Sequence, residues 1–338
     1  MAMIKILDPT SSDELSTFRG GGRFIQLLKE NLSEESRFVS SLSEVSQEDE
    51  LLVPFWSPFQ KPLLNKKIAK QQILTIFDVI PQRYPQHFPV GIRGTLRLWE
   101  NKKALKYFDK IITISEASKK DINKFLKVSA DKIHVHYLAT PKQFQQKLLK
   151  LDKPKFSIPE VPFVLYVGDV NWNKNLVNLA KAIKLANIPC MFVGKTFAEN
   201  SSSDHPWLSE FNQFKKLAHN DHHFIFPGYI SNDELVKYYQ NALCNILVSR
   251  NEGFGLSYLE ASTQKCPSVL SDIPVFKEIA EDSALYTNPE DPQDIAEKIV
   301  KFKEDGKLTA SYAQKAFIQS KKYSSSIFKK RLLEIIGI

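Results

Sequence analysis

Two glutamates, Glu252 and Glu260, with seven residues between them, bracket a glycine loop in Ser249-Arg250-Asn251-Glu252-Gly253-Phe254-Gly255-Leu256-Ser257-Tyr258-Leu259-Glu260-Ala261. An ionised carboxylate only accepts hydrogen bonds, so each acid can take the paired hydroxyls of a vicinal diol. Gly253 and Gly255 carry no Cβ, and the backbone between the acids can come close to a ligand. The apolar strand Leu243–Val248 precedes this loop, and a helix is predicted over Leu256–Ser262. The amides of Phe254, Gly255 and Leu256 then fall at a helix start, where they lack intrahelical acceptors and favour a phosphate or sugar oxygen. The arrangement suits a sugar nucleotide, with the hexose at one carboxylate and the ribose at the other.

A matching cation is Lys174, in Tyr166-Val167-Gly168-Asp169-Val170-Asn171-Trp172-Asn173-Lys174-Asn175-Leu176. A strand ends at Gly168 and a helix starts near Asn175, so Lys174 stands where a diphosphate can be neutralised; taken alone it would read as a surface lysine. Another cluster, Gly20-Gly21-Gly22, precedes a predicted helix and reads either as a ligand-facing loop or as a flexible turn. Neither glycine cluster has the Gly-Lys-Ser/Thr of a Walker loop or the GxGxxG of a dinucleotide site. Arg93, Arg97, Trp99, Lys102, Lys103, Lys106 and Tyr107 make a basic stretch with aromatics, either a contact with an anionic membrane or a solvated helix face.

The elements that must hold these groups alternate along the chain. Predicted strands are Ile4–Leu7, Leu51–Phe55, Leu74–Phe77, Ile111–Ile114 and Ile133–His136, then Phe163–Val167, Cys190–Val193, His223–Phe226, Leu243–Ser249, Ser268–Leu270 and Leu285–Thr287. Helices are predicted between them at Phe24–Glu30, Leu96–Phe108, Ser115–Phe125, Leu176–Ala186, Asn232–Gln240, Leu256–Ser262 and Asp291–Phe302. Ser115 is a plausible helix cap, and Ser231 to Glu234 has capping-box spacing. Such alternation predicts an α/β chain of two parallel-sheet domains, with ligands outside the carboxyl ends of the strands. A Lys- and Pro-rich linker at Pro141–Pro162 sets the limits: residues 1–155, residues 156–320, and a final amphipathic helix within 321–338 that would pack across the domain junction.

The Glu252–Glu260 segment resembles the Glu-x7-Glu signature of the family 4 retaining glycosyltransferases. Gly228-Tyr229-Ile230-Ser231-Asn232-Asp233-Glu234-Leu235, Ser268-Val269-Leu270-Ser271-Asp272-Ile273-Pro274 and Tyr286-Thr287-Asn288-Pro289-Glu290-Asp291-Pro292 are similar to the same family in order and spacing. The resemblance implies the GT-B fold, two Rossmann-like parallel-sheet domains facing each other across a cleft, and a metal-independent transfer. It places Glu252 on the hexose, Glu260 on the ribose, Tyr229 and Ile230 around the base, and Lys174 with Gly168 and Asn173 at the phosphates. Thr75-Ile76-Phe77-Asp78-Val79-Ile80-Pro81 resembles the His-Asp-x-x-Pro segment of bacterial mannosyltransferase-like members, which implicates Asp78 and leans toward GDP-mannose ahead of UDP- or dTDP-sugars. Gly21 and Gly22 would complete the donor site. Phe77 replaces the family's His, and Asn173 and Asp169 stand where Arg is common, so a catalytically silent nucleotide-sugar-binding or partner protein is the alternative. The acceptor implied is a glycan or a lipid-linked glycan, and no cofactor is expected beyond the nucleotide-sugar co-substrate.

Composition frames these readings. At 338 residues the chain exceeds one ordinary core. No window approaches the roughly 18 apolar residues of a membrane span, and the start is too short for a signal peptide. Cys190, Cys244 and Cys266 lack metal-ligand spacing and read as reduced, buried thiols of a cytoplasmic protein; no metal site is expected. The net charge of +8 is uneven: residues 1–155 hold 26 Lys and Arg against 17 Asp and Glu, the rest 20 against 21. A basic first half suits an anionic surface or simple solubility; no helix-turn-helix, RRM or zinc pattern supports nucleic acid.

Overall fold

A computed structural model describes residues 4–8, 20–145, 157–198, 205–228 and 230–337. The chain falls into two units, Met1–Ala139 with Ser325–Ile338, and Thr140–Ser324. The sequence boundary at 155/156 lies outside the described residues, as does Tyr229.

The first unit runs β1 (Ile4–Leu7), α1 (Gly20–Leu32), β2 (Ser36–Val39), β3 (Glu50–Val53), β4 (Gln71–Thr75), α2 (Ile80–Arg83), α3 (Gly91–Ala104), β5 (Lys110–Thr113), α4 (Glu116–Leu126) and β6 (Ile133–Val135). Its strands form a parallel sheet in the order β2-β1-β3-β4-β5-β6. Ser115 caps α4, accepting from the Ser118 amide.

The second unit holds α5 (Lys142–Gln145), β7 (Val164–Val167), α6 (Leu176–Ala186), β8 (Cys190–Val193), α7 (Lys195–Ala198), α8 (Ser209–Ala218), β9 (Phe224–Ile225) and α9 (Asn232–Asn241). It continues with β10 (Cys244–Leu247), α10 (Leu256–Thr263), β11 (Ser268–Ser271), α11 (Pro274–Ala280), β12 (Leu285–Thr287), α12 (Pro292–Glu304) and α13 (Gly306–Ser320). This sheet is again parallel, in the order β12-β11-β10-β7-β8-β9.

Alternation of side chains explains why helices cover both faces of the second sheet. In β7 and β8, Val164, Tyr166, Cys190 and Phe192 point to a core shared with α6, α8 and α12. Their neighbours Leu165, Met191 and Val193 point to the opposite core, under α9 and α10. A strand apolar on both faces must be buried on both, which is the signature of a crossover-connected parallel sheet. The capping box at Ser231 and Glu234 forms as expected. All three cysteines are buried free thiols, and burial pushes Cys266 up to about 12.

The chain then returns to the first unit. Helix α14 (Ser325–Ile336) buries Phe328, Leu332, Ile335 and Ile336 and packs against α1. Its carbonyl at Ile335 accepts from Lys110 Nζ (2.6 Å), and that of Phe328 lies 3.0 Å from His136 Nε2. His136 Nδ1 is buried without a partner, which fixes the neutral tautomer with Nε2–H donating. Burial holds this imidazole down at about 4.

Most boundaries shift by one to three residues from the sequence expectation, and two helix starts differ for a steric or compositional reason. Gly20, Gly21 and Gly22 are the first turn of α1 itself rather than a loop before it. Helix α3 starts at Gly91 rather than Leu96, and Gly94 within its first turns is buried where a Cβ would lie 2.6 Å from Val90 Cβ. Glycine lowers intrinsic helix propensity, so both starts were obscured by residues that tight packing requires or tolerates.

Candidate functional site

At the carboxyl ends of β7 and β10, the structure joins two loops. Asn173 donates through Nδ2 to the Asn251 carbonyl (3.0 Å) and accepts at its own carbonyl from the Arg250 amide (2.8 Å). Asn175 Nδ2 donates to the Val248 carbonyl (2.9 Å), and Asn175 is held in the left-handed region at φ +60°. Asn tolerates that conformation better than most residues. The loop after β7 is thereby laced to the loop after β10.

The lacing brings Lys174 and Glu252 together. Lys174 Nζ lies 2.6 Å from Glu252 Oε1, and the same oxygen accepts from Ser249 Oγ at 2.7 Å. Glu252 also bears on the buried Tyr166. Burial drives that phenol far above its usual value, and the charges of Glu252 and Asp169 push it further. Its hydroxyl donates to the Asp169 carbonyl at 2.6 Å, which holds the Asp169 turn over the strand end. The Asp169 side chain is exposed and accepts from the Val170 amide.

Glycines shape this site sterically. Gly255 sits at φ +112°, and a Cβ there would lie 2.8 Å from Phe276 Cε1 and 3.2 Å from Ile279 Cδ1. It therefore serves both the turn and the close packing of α10 on α11, and it leaves the first amides of α10 at the loop surface. Gly253 and Phe254 precede it, with the Phe254 ring buried edge-on to Tyr323 at 5.9 Å. Gly168 and Gly194 close the ends of β7 and β8, because a Cβ on Gly194 would lie only 2.3 Å from the Gly168 carbonyl oxygen.

Glu260 takes a different environment. It is fully buried in α10, and its Oε2 accepts from Tyr239 of α9 at 3.2 Å. Ile230, just after β9, packs against the cluster that contains Tyr239. Ile230, expected at the base, and Glu260, expected at the ribose, thus both border the apolar cluster around Tyr239.

Arg250 is the site residue that sequence reasoning passed over. Its Nη1 donates to the Trp172 carbonyl (2.8 Å) and to both Glu210 oxygens (3.0 and 2.7 Å), and its Nε to Glu290 (2.8 Å). Its guanidinium lies 5.0 Å from the centre of the Trp172 ring. Burial raises the Glu210 carboxyl above its ordinary value, against the pull of Arg250. The signal available beforehand was only a charged residue inside a motif; its acid partner lies 40 positions away.

Gly21, Gly22 and Asp78 belong to the first unit. Asp78 Oδ1 accepts from the Ile80 amide (3.1 Å) and so starts α2. Phe77, in the position of the family's His, stacks edge-on against Phe24 of α1 at 5.3 Å. Gly21 is not sterically required, since a Cβ would meet Phe55 at an ordinary 3.8 Å.

Asp221, His222 and His223 have ligand atoms within 4.8 Å of one another. They precede β9, at the end of the sheet opposite Glu252. His223 Nδ1 and Nε2 are taken up by Asp221 and Asn187 (both 2.8 Å), and Asp221 also pairs with Lys184 (3.1 Å). The His223 amide and ring, then Lys184, hold the Asp221 carboxyl far below the usual carboxylate range. Among the described residues no helix is long and apolar enough to cross a membrane.

Two parallel six-stranded sheets with carboxyl-end loops of this kind define the GT-B class. Solved structures with the same fold include a glycosyltransferase from Rickettsia africae ESF-5, 16% identical with a TM-score of 0.63, covering 99% of this chain and 98% of that one. Sucrose-phosphate synthase from Thermosynechococcus elongatus is 20% identical with a TM-score of 0.62, over 78% and 66% of the two chains. The family model of the glycosyl transferases group 1 matches residues 150–319, and the chain belongs to that family. It is similar to the serotype-specific mannosyltransferase WbdA of Escherichia coli, 27% identical over 246 residues, and to the O-antigen chain mannosyltransferase RfbU of Salmonella typhimurium, 28% identical over 229. Each match covers 66% of this chain, but only 29% of WbdA and 58% of RfbU.

Proposed function

We propose that the chain transfers a hexose from a nucleotide-sugar donor to a glycan or lipid-linked acceptor, with retention at the anomeric carbon and without a metal. The observation that carries this reading is the Lys174–Glu252–Ser249 cluster beside the glycine-capped start of α10. It sets a cation, a hydroxyl acceptor and helix-start amides at the carboxyl ends of neighbouring strands. Family membership and the two mannosyltransferase relatives support mannose, and GDP-mannose ahead of UDP- and dTDP-sugars.

In this reading Lys174 exchanges Glu252 for the donor's diphosphate, and the released carboxylate accepts from the hexose hydroxyls. The α10 amides share the phosphate charge. Glu260 and Tyr239 hold the ribose, and Ile230 with Tyr229 frames the base. Gly21, Gly22 and Asp78 are assigned to donor binding by the family resemblance. The leaving phosphate takes the acceptor's proton on the face where the new bond forms. No Asp-x-Asp occurs in the sequence to hold a divalent ion against a diphosphate. The donor is the only co-substrate, and the protein works on the cytoplasmic side, peripheral to the membrane through its basic first half.

A thermal-shift panel of GDP-, UDP-, dTDP- and ADP-sugars, with and without EDTA, tests this. One base class should stabilise the protein equally in both conditions and release nucleotide when acceptor is supplied. Stabilisation without release across trial acceptors supports a silent binder, the reading favoured by the exposed Asp169 and the laced Asn173. A donor that binds only with a divalent ion overturns metal independence, and inversion at the anomeric carbon of the product overturns retention.

A further inference from the structure

Helix α3 wears its apolar stripe on the wrong side for an ordinary surface helix. Ile92, Leu96, Trp99 and Lys103 follow i, i+4, i+7, i+11 spacing and so form one stripe. The three apolar side chains in it are 91%, 51% and 54% exposed. The face turned to the core buries only Gly94, Asn101 and Ala104, with Leu98 half-buried between them.

Asn101 fixes that orientation. The two hydrogens on its Nδ2 are taken by the carbonyls of Gln60 (2.8 Å) and Arg97 (2.9 Å), with that of Pro58 also within reach at 3.2 Å. Rolling the helix to hide the stripe would break these bonds and leave a buried amide unsatisfied, so the helix is locked with its greasy side outward. Pro85, Phe88 and Pro89 extend the stripe into a shallow apolar groove.

Charge names the partner. Residues 91–107 carry Arg93, Arg97, Lys102, Lys103 and Lys106 against one acid, Glu100, and Glu100 is already bound by Arg97 at 2.7 Å. The Lys103 ammonium lies over the Trp99 ring, 3.4 Å from its centre. An apolar stripe rimmed by cations, with an indole at its edge, matches the interfacial layer of a bilayer: apolar side chains among the acyl ends, cations among anionic headgroups. A protein partner with an acidic rim lacks that depth of apolar medium for a 91% exposed isoleucine at a helix corner.

We infer that Ile92, Leu96 and Trp99 of α3 insert into the headgroup layer of an anionic membrane and dock the first unit there. The inference deepens the reading of a peripheral membrane transferase and rests on it for its purpose, but vesicle binding is measured without donor, so either can fail alone.

The test is co-sedimentation of the full chain with vesicles of phosphatidylcholine alone and with about a third phosphatidylglycerol. The parent should bind the anionic vesicles, ever more weakly with added salt, and leave phosphatidylcholine unbound. Ile92→Ser with Trp99→Ser should lower the partition constant on the order of a hundredfold, about tenfold per large side chain. Arg93→Glu with Lys103→Glu should lower it by at least about tenfold through charge. Leu185→Ser, at an exposed apolar residue of α6, should change nothing, and thermal melting should show all variants folded. No binding to anionic vesicles overturns the inference. So does binding that survives the Ile92/Trp99 change, which would reduce it to diffuse charge. A dimer that the same change dissociates, without vesicle binding, reassigns the face to a second copy.

Discussion

Arg250→Met is the sharpest test of the loop lacing. The substitution keeps a long apolar stem over Trp172 and removes the guanidinium that satisfies Glu210, Glu290 and the Trp172 carbonyl. Breaking a buried pair by removing one partner generally costs about 3–5 kcal/mol. Here the loss has a ceiling, because Glu210 can escape by binding a proton. From its ordinary value of 4.5, protonation at pH 7 costs roughly 3.4 kcal/mol, at about 1.4 kcal/mol per pH unit. The variant should therefore be less stable by about 3 kcal/mol at pH 7, and only by roughly 1 kcal/mol at pH 5. The sign follows from the raised carboxyl: its protonated form stabilises the fold below the unfolded value, and this is lost as pH rises through the folded one. The measurement is urea unfolding of parent and variant at both pH values, read by tryptophan fluorescence and circular dichroism. Arg250→Met with Glu210→Gln should recover most of the loss, since neither partner is then left charged and unpaired. A loss below about 1 kcal/mol at pH 7, or one equal at the two pH values, refutes the reasoning.

Three further outcomes can be measured on the same material. Gly255→Ala should cost about 2–5 kcal/mol, summing a left-handed penalty and overpacking against Phe276. Gly306→Ala, which meets nothing within 4 Å, should be neutral or slightly stabilising, and equal melting temperatures for the two would contradict the steric argument. His136 is neutral when folded, at about 4 against an ordinary 6.5, so it contributes stability above pH 6.5 that is lost as pH falls toward 4, up to roughly 3.4 kcal/mol. His136→Gln should flatten the acid limb of the stability profile, and an unchanged limb would show that other groups set it. Lys174→Ala should weaken nucleoside diphosphate binding by about 10- to 100-fold through loss of a charge-assisted bond; unchanged affinity by calorimetry removes Lys174 from the phosphate subsite.

Much of the scaffold was legible because apolar runs and caps coincide with strands and helix starts. Ile4–Leu7, Cys190–Val193, Leu285–Thr287 and Leu176–Ala186 match their elements end to end. Strand β2, Ser-Arg-Phe-Val, was not, because an edge strand half open to solvent carries little apolar signal. Helices α8 and α13 were missed as well: α13 has a weak periodic signal, whereas α8 carries a readable one in Phe211, Phe214 and Ala218 that was passed over. In the site, Lys174, Glu252 and Gly255 could be read because chemistry and spacing lie within short segments. Arg250–Glu210 and Gly194 against Gly168 could not, since each depends on chain stretches that meet only after folding.

The return of α14 to the first unit has a consequence for biosynthesis. A ribosome delivers β1 through β6 first, then the whole of the second unit, and only then the helix that buries Phe328, Leu332 and Ile335 against the first sheet's elements. The first unit is thus begun before the second and finished after it, waiting through some 185 intervening codons, Thr140–Ser324. During that interval its unclosed apolar surface is what chaperones would meet. Premature termination within α14 would damage the unit that holds β1 to β6 and spare the one made just before the break.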